Sequence, residues 1–151
     1  MNPKTFLRLW NFWPPFLFTG IKIVEFSTDL LRIKVKLKLR FWNANYHGTQ
    51  YGGAMTAVTD PFYAMILIHG LGKEYVVWDK AATIRFLKPG KSDLTLDFII
   101  TPDEIEMIKA TVENEGKFDF TKRIDLVDKD GVTVAYADRT ISVKKTPGEN
   151  R

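Results

Sequence analysis

The most regular stretch of the chain runs over residues 31–39, where Leu31, Ile33, Val35, Leu37 and Leu39 alternate with Arg32, Lys34, Lys36 and Lys38. A period of two places the apolar set on one face of a β-strand and the cations on the other, so this strand has a buried side and a wet side. Residues 21–26, apolar and β-branched, predict a strand before it. The pattern then changes. Residues 54–69 are apolar nearly all round, which predicts one buried helix, ended by Gly70 and Gly72. Strand patterns return at 81–87 and 94–100 around a Lys88-Pro-Gly-Lys91 turn, and at 118–127 and 132–143 around Asp128-Lys-Asp-Gly131, whose Asp-Gly marks a hairpin. Between these pairs, Thr101-Pro-Asp-Glu104 has the form of a capping box with proline at the first helical position, and Ile105, Ile108 and Val112 give that helix a buried stripe closed by Gly116.

At the N-terminus, residues 3–13 predict a helix with Phe6, Leu9, Trp10 and Trp13 on one face, stopped by Pro14 and Pro15. It reads as a flap packed on the core, with adhesion to a membrane surface as the alternative. Arg8 and Asn11 interrupt the aromatic run and no small-residue cleavage site follows, so neither a signal peptide nor a spanning helix is expected. The expected location is the cytoplasm, with no stable membrane insertion. The segment after Lys145 has no apolar residue to bury and is expected to be mobile.

Six strands with one apolar helix after the second lack the β-α-β alternation of a doubly wound fold. The expected architecture is α+β: a single domain over residues 1–151, with an antiparallel six-stranded sheet wrapped around a central apolar helix. A length of 151 residues and 45% hydrophobic content suit one well-buried domain. Composition narrows the chemistry further. With no cysteine and two histidines, thiolate chemistry and an imidazole-rich metal site are excluded, and no metal or cofactor is expected. The 22 Lys+Arg against 18 Asp+Glu are dispersed, which argues against nucleic-acid binding and is compatible with an anionic small ligand.

The stretch Asn45-Tyr-His-Gly-Thr-Gln-Tyr-Gly-Gly53, running into the apolar helix that carries Asp60, resembles the Asn-x-x-Gly-x-x-His-Gly-Gly segment of hotdog-fold acyl-CoA thioesterases of the phenylacetyl-CoA thioesterase type. Tyr51 stands where that motif has histidine, and Pro61 follows the acid. The wider run through Trp13-Pro-Pro-Phe16, Trp78-Asp-Lys80, Arg85-Phe-Leu-Lys-Pro-Gly90 and Asp130-Gly131 is similar to an uncharacterised branch of the same superfamily. The resemblance implies a hotdog fold, hydrolysis of an acyl-CoA thioester without a cofactor, an acid at Asp60, and sites shared between two copies of the chain.

Thioester hydrolysis asks for hydrogen-bond donors where the carbonyl oxygen becomes an anion, and for a base or nucleophile. Gly52 and Gly53 let a thioester approach the backbone at a helix start, with the Gly53 N–H as oxyanion donor; a tight turn or a close packing contact is the alternative use of both. Asp60 is the lone carboxylate between Gly53 and Gly70. It reads as base or nucleophile, or as the N-cap of a second helix beginning at Pro61, and the two are compatible. Gly53 and Asp60 are seven residues apart, the same helix face but roughly 10 Å along the axis. One carbonyl cannot reach both within one chain, so joint action requires a homodimer with composite sites, alone or as a dimer of dimers, that is, a homotetramer.

Asn45 reads as a catalytic positioning group for water or thioester, or as a turn former. Tyr51 reads as a hydroxyl donor to substrate or as packing. Lys80, Arg85, Lys88 and Lys91 read as a phosphate-binding rim for coenzyme A or as solubilising charge. His47 and His69 are taken as structural. Met55, Val58, Phe62, Tyr63 and Met65 line an acyl tunnel or fill the core. A dehydratase is disfavoured because no histidine sits on the helix beside Asp60. The expected function is acyl-CoA thioesterase, with a non-catalytic acyl-CoA or fatty-acyl binding module as the alternative.

Overall fold

The computed structural model describes residues 3–146. The expectation of a mobile tail falls, apart from Thr146, outside the described residues. Helix α1 (Pro3–Trp10) and helix α2 (Pro14–Thr19) precede strands β1 (Ile21–Phe26) and β2 (Arg32–Leu37). Then come α3 (Gly52–Ala57), α4 (Phe62–Leu71), β3 (Tyr75–Phe86), β4 (Leu94–Ile99), α5 (Pro102–Glu115), β5 (Lys117–Val127) and β6 (Thr133–Lys145). The six strands form one antiparallel sheet in the order β1-β2-β4-β5-β6-β3.

Two halves make up this sheet. Strands β1 and β2 pair at five positions and β2 and β4 at six, β5, β6 and β3 pair over longer registers, and β4 meets β5 at Thr95↔Val127. So limited a junction lets the halves turn toward each other and wrap the apolar faces of α3 and α4, as the hotdog resemblance implies. Val35, Leu37, Leu94, Leu96, Phe98, Ile141 and Val143 are fully buried from the sheet side. From the helix side, Val58, Phe62 and Leu67 are also wholly enclosed. Phe62 and Tyr63 both pack on Phe98, with ring centroids 4.9 and 5.0 Å away. Burying side chains of this size contributes about 1.5–3 kcal/mol each, so the helix–sheet contact is a large stabilising term.

The structure corrects three boundaries. The N-terminal helix ends at Trp10 instead of Trp13, and Pro14 and Pro15 open α2, because proline suits the first helical turn, where an N–H has no intrahelical partner. Its buried member is Leu7, while Leu9 is 54% exposed. Strand β3 begins at Tyr75, six residues before the expected start, and a register shift between Asp79 and Ala81 explains why its alternation breaks there.

The third correction concerns the central helix, which is broken between Ala57 and Phe62. Pro61 has no N–H to give the Ala57 carbonyl. Asp60 N–H donates to it instead, at 3.1 Å, and Thr59 N–H closes the preceding turn on Thr56 O at 3.1 Å. The Asp60–Pro61 peptide is cis, and Pro61, not Asp60, occupies the N-cap of α4. No side chain caps that helix, so the reading of Asp60 as its N-cap is not realised.

Candidate active site

The segment before α3 is built by Asn45 and Gln50. Asn45 Oδ1 accepts from the N–H groups of His47 and Thr49, both at 3.0 Å, while its Nδ2 donates to Thr49 Oγ1 at 2.9 Å and Gln50 O at 3.3 Å. All its hydrogen-bonding capacity goes into its own turn, so Asn45 acts here as a turn former that lines a cleft. Gln50, which the sequence reading did not single out, is 3% exposed. Its Nε2 donates to Leu37 O at 3.1 Å and Ser92 O at 3.0 Å, and its backbone N–H to Gly90 O at 2.8 Å. It ties the start of α3 to the end of β2 and to the turn between β3 and β4. A buried glutamine that binds three segments sets where Gly52 and Gly53 stand.

Those glycines open α3, and Tyr51 at its N-cap makes no side-chain cap bond. The first N–H groups of a helix have no intrahelical acceptor, so this end presents open donors. Gly52 faces Phe86, whose ring would stand 3.4 Å from an added Cβ, and at Gly53 an added Cβ would fall into the Tyr51 ring. Gly52 could thus hold a Cβ at ordinary contact distance, whereas a side chain at Gly53 would have to displace the exposed Tyr51 ring. A cleft of about 600 Å³ lies outside, lined by Asn45, His47, Gly52, Phe86, Lys88 and Lys91 among others. Of the four rim cations, the structure brings Lys88 and Lys91 to this cleft. Lys80 is paired with Asp119 instead, and Arg85 is exposed on β3 outside the lining, so neither joins the cleft as expected.

Asp60 lies in a separate, smaller cavity of about 260 Å³ with Trp13, Phe16, Thr19, Ala57 and Pro61. Its carboxylate Oδ2 is 3.5 Å from Arg139 Nη2, and 53% of its side chain is open. Arg139 is nearly buried, with 7% of its side chain open, and holds Asp79 at 2.7 Å through the same Nη2 and at 3.2 Å through Nε. Two carboxylates therefore share one guanidinium where β3, β6 and the helix break meet. Burial raises the Asp60 pKa above the ordinary aspartate value; Arg139 opposes this, and the charge of Asp79 adds to it. Asp60 is thus a carboxylate with strengthened basicity beside a cavity. Arg139 had a legible signal: it interrupts the inward series Ala135, Ala137, Ile141 and Val143 of β6.

Within one chain, Gly52 lines the larger cleft and Asp60 the smaller cavity, while Gly53, the residue between Gly52 and Ala54 on α3, lies under the Tyr51 ring. Tyr51 is 58% exposed with its ring over Gly53. Among the described residues no group of three or more His, Cys, Asp or Glu is placed to hold a metal ion, and no helix is long and apolar enough to cross a membrane.

Residues 3–143 match the model of a domain of unknown function, DUF4442. A search of curated proteins found no match. Among solved structures, the fold is similar to that of a probable thioesterase of unknown function from Pseudomonas aeruginosa, with a TM-score of 0.82 at 18% identity over 95% of this chain and 97% of that one. It is also similar to a protein of unknown function from Chlorobaculum tepidum, with a TM-score of 0.74 at 12% identity over 94% of each chain. A thioesterase from Haemophilus influenzae gives a TM-score of 0.67 at 15% identity, covering 96% of this chain and 92% of that one.

Proposed function

The chain belongs to the DUF4442 family and has the hotdog fold, and from that premise we propose that it hydrolyses acyl-CoA thioesters at a site composed from two copies. One observation carries the reading: the break between α3 and α4 holds a carboxylate, Asp60, with raised basicity beside a cavity, in a fold shared with thioesterases. Asp60 takes a proton from water, and the resulting hydroxide adds to the thioester carbonyl. The Gly53 N–H of the neighbouring copy receives the oxyanion. The carbon–sulfur bond then breaks, and the thiolate leaves and takes up the proton, giving a carboxylic acid and a thiol. Lys88 and Lys91, which line the cleft, are the cations assigned in this reading to the coenzyme A phosphates.

The dimer has support from β3. This twelve-residue strand ends the sheet, its outer edge is unpaired among the described residues, and Ala81, Ala82 and Thr83 are exposed along it. Long unpaired edges invite another strand, and a second copy is the simplest supplier.

Thiol release measured across an acyl-CoA panel tests the reading. The parent should turn over, and Asp60→Asn should lose activity by orders of magnitude while remaining folded, since it keeps size and hydrogen bonding and loses the base. Unchanged turnover in the variant would remove Asp60 from the chemistry. A second reading, a non-catalytic acyl-CoA binding module, is favoured by the Tyr51 ring over Gly53. It forecasts no thiol release by the parent together with saturable acyl-CoA binding in calorimetry.

A further inference from the structure

A third cavity, of about 720 Å³, lies under α1, walled by Phe6, Leu7, Trp10, Ile33, Met65 and Ile68 among others. That volume falls within the roughly 300–1,000 Å³ of small-molecule sites. The buried side-chain atoms without a partner among the described residues are Gln50 Oε1 and Ser142 Oγ, and neither residue lines this space. His69, Lys73 and Tyr75 also line the space, but the rest of its wall is apolar, and the occupant that matches most of that surface is an aliphatic chain.

The position of this cavity relative to Asp60 gives it a use. Trp10 forms its wall, Trp13 and Phe16 form the wall of the Asp60 cavity, and the three rings pack together. Trp10 is stacked on Trp13 with centroids 5.4 Å apart and planes 11° from parallel, and Phe16 is 5.2 Å from each. A stacked pair of aromatic rings, Trp10 on one side and Trp13 on the other, thus stands between the two spaces. The backbone of that pair is pinned: between α1 and α2, Asn11 accepts from Ile23 N–H at 2.7 Å and donates to Ile23 O at 3.1 Å. Trp13 is 43% exposed, so its ring has room to turn while the backbone stays fixed.

We propose that the cavity under α1 receives the distal part of a long aliphatic acyl chain that enters past Trp10 and Trp13 from the Asp60 side, and that these two rings set the chain length accepted. The proposal rests on the thioesterase reading for the position of the thioester, and deepens it by naming a long-chain substrate class.

Two measurements separate the proposal from that reading. The first is kcat/KM for acyl-CoA of four, eight, twelve and sixteen carbons. The parent should gain about tenfold or more for each two carbons that reach the cavity. Trp10→Ala should move the preferred length upward. Ile68→Trp, at a lining position that is 55% exposed and so tolerant of a larger ring, should lower the sixteen-to-four-carbon ratio by about tenfold or more. The second measurement needs no turnover: energy transfer from tryptophan to cis-parinaric acid, with displacement by hexadecanoate, in parent and Ile68→Trp. Binding that Ile68→Trp weakens, in a protein that hydrolyses no thioester, upholds the cavity and removes the hydrolase reading. Hydrolysis with no dependence on chain length and no parinaric acid binding overturns the cavity and leaves that reading standing. Trp10→Ala with an unchanged length profile overturns the entry past the rings.

Discussion

Arg139 carries its charge into a site where 7% of its side chain is open, and a guanidinium there must be neutralised. Asp79 does so at 2.7 Å, and Asp60 shares the remaining field at 3.5 Å. Asp60 therefore feels burial and a like charge pushing its pKa up, with only part of a cation pulling it down. For a base that must be ionised, kcat/KM should rise with pH along a limb displaced above the ordinary aspartate value of about 3.9. Asp79→Asn removes the like charge and leaves Arg139 to Asp60, so the limb should move to lower pH and the plateau should fall as the base weakens. A pH–rate profile of the two proteins checks this, and an unmoved limb would show that Asp79 serves structure alone. Stability carries the same sign. With its folded pKa raised, Asp60 binds more protons folded than unfolded, so its contribution falls as pH rises between the unfolded and folded values. Asp60→Asn should then be no less thermostable than the parent at neutral pH while losing turnover, readable as an unchanged or raised Tm.

At the scale of elements, α5 shows how local chemistry fixes a boundary. Thr101 Oγ1 accepts from Glu104 N–H at 3.2 Å, and Glu104 Oε2 accepts from Thr101 N–H at 2.8 Å, while Lys122 of β5 holds the same carboxylate at 2.6 Å. The cap thus orients the helix and ties it to the sheet that Ile105, Ile108 and Val112 cover. Thr101→Ala should cost about 1 kcal/mol, seen as a lower urea midpoint at unchanged slope, and Thr101→Ser should restore most of it. This helix, the alternation of β2 and the Asp128-Lys-Asp-Gly131 turn were legible because each is decided by residues near in sequence; Asp128 Oδ1, for example, accepts from Asp130 and Val132 N–H, both at 2.9 Å. The start of β3 was not legible, because its register shift at Asp79 makes sense only beside β6. At the candidate site, Gly53 and Asp60 stood out by type and position. Gln50 and Asp79 did not, since their roles depend on Leu37, Ser92 and Arg139, which lie far away along the chain.

The whole molecule raises the question of whether one chain holds a complete site. Seven residues separate Gly53 from Asp60, and the helix breaks between them, so the glycine end of α3, where Gly52 lines the larger cleft, and Asp60 in its own cavity lie apart. If the thioester needs both, neither half works alone, and two differently damaged chains can repair each other. Asp60→Asn retains the glycine half. Gly53→Val retains the acid half, because its new side chain collides with the Tyr51 ring and spoils the donor end of α3. Each variant alone should be inactive. In a mixed dimer, the Gly53 of one chain faces the Asp60 of the other, so one of the two sites is intact and the other is doubly damaged. Random exchange makes about half of the dimers mixed, so equal amounts of the two variants should recover about a quarter of the parent's activity after subunits are allowed to exchange. Recovery of thiol release on mixing, together with light scattering that shows at least a dimer, is the expected result. No recovery despite demonstrated exchange would place the whole reaction within one chain.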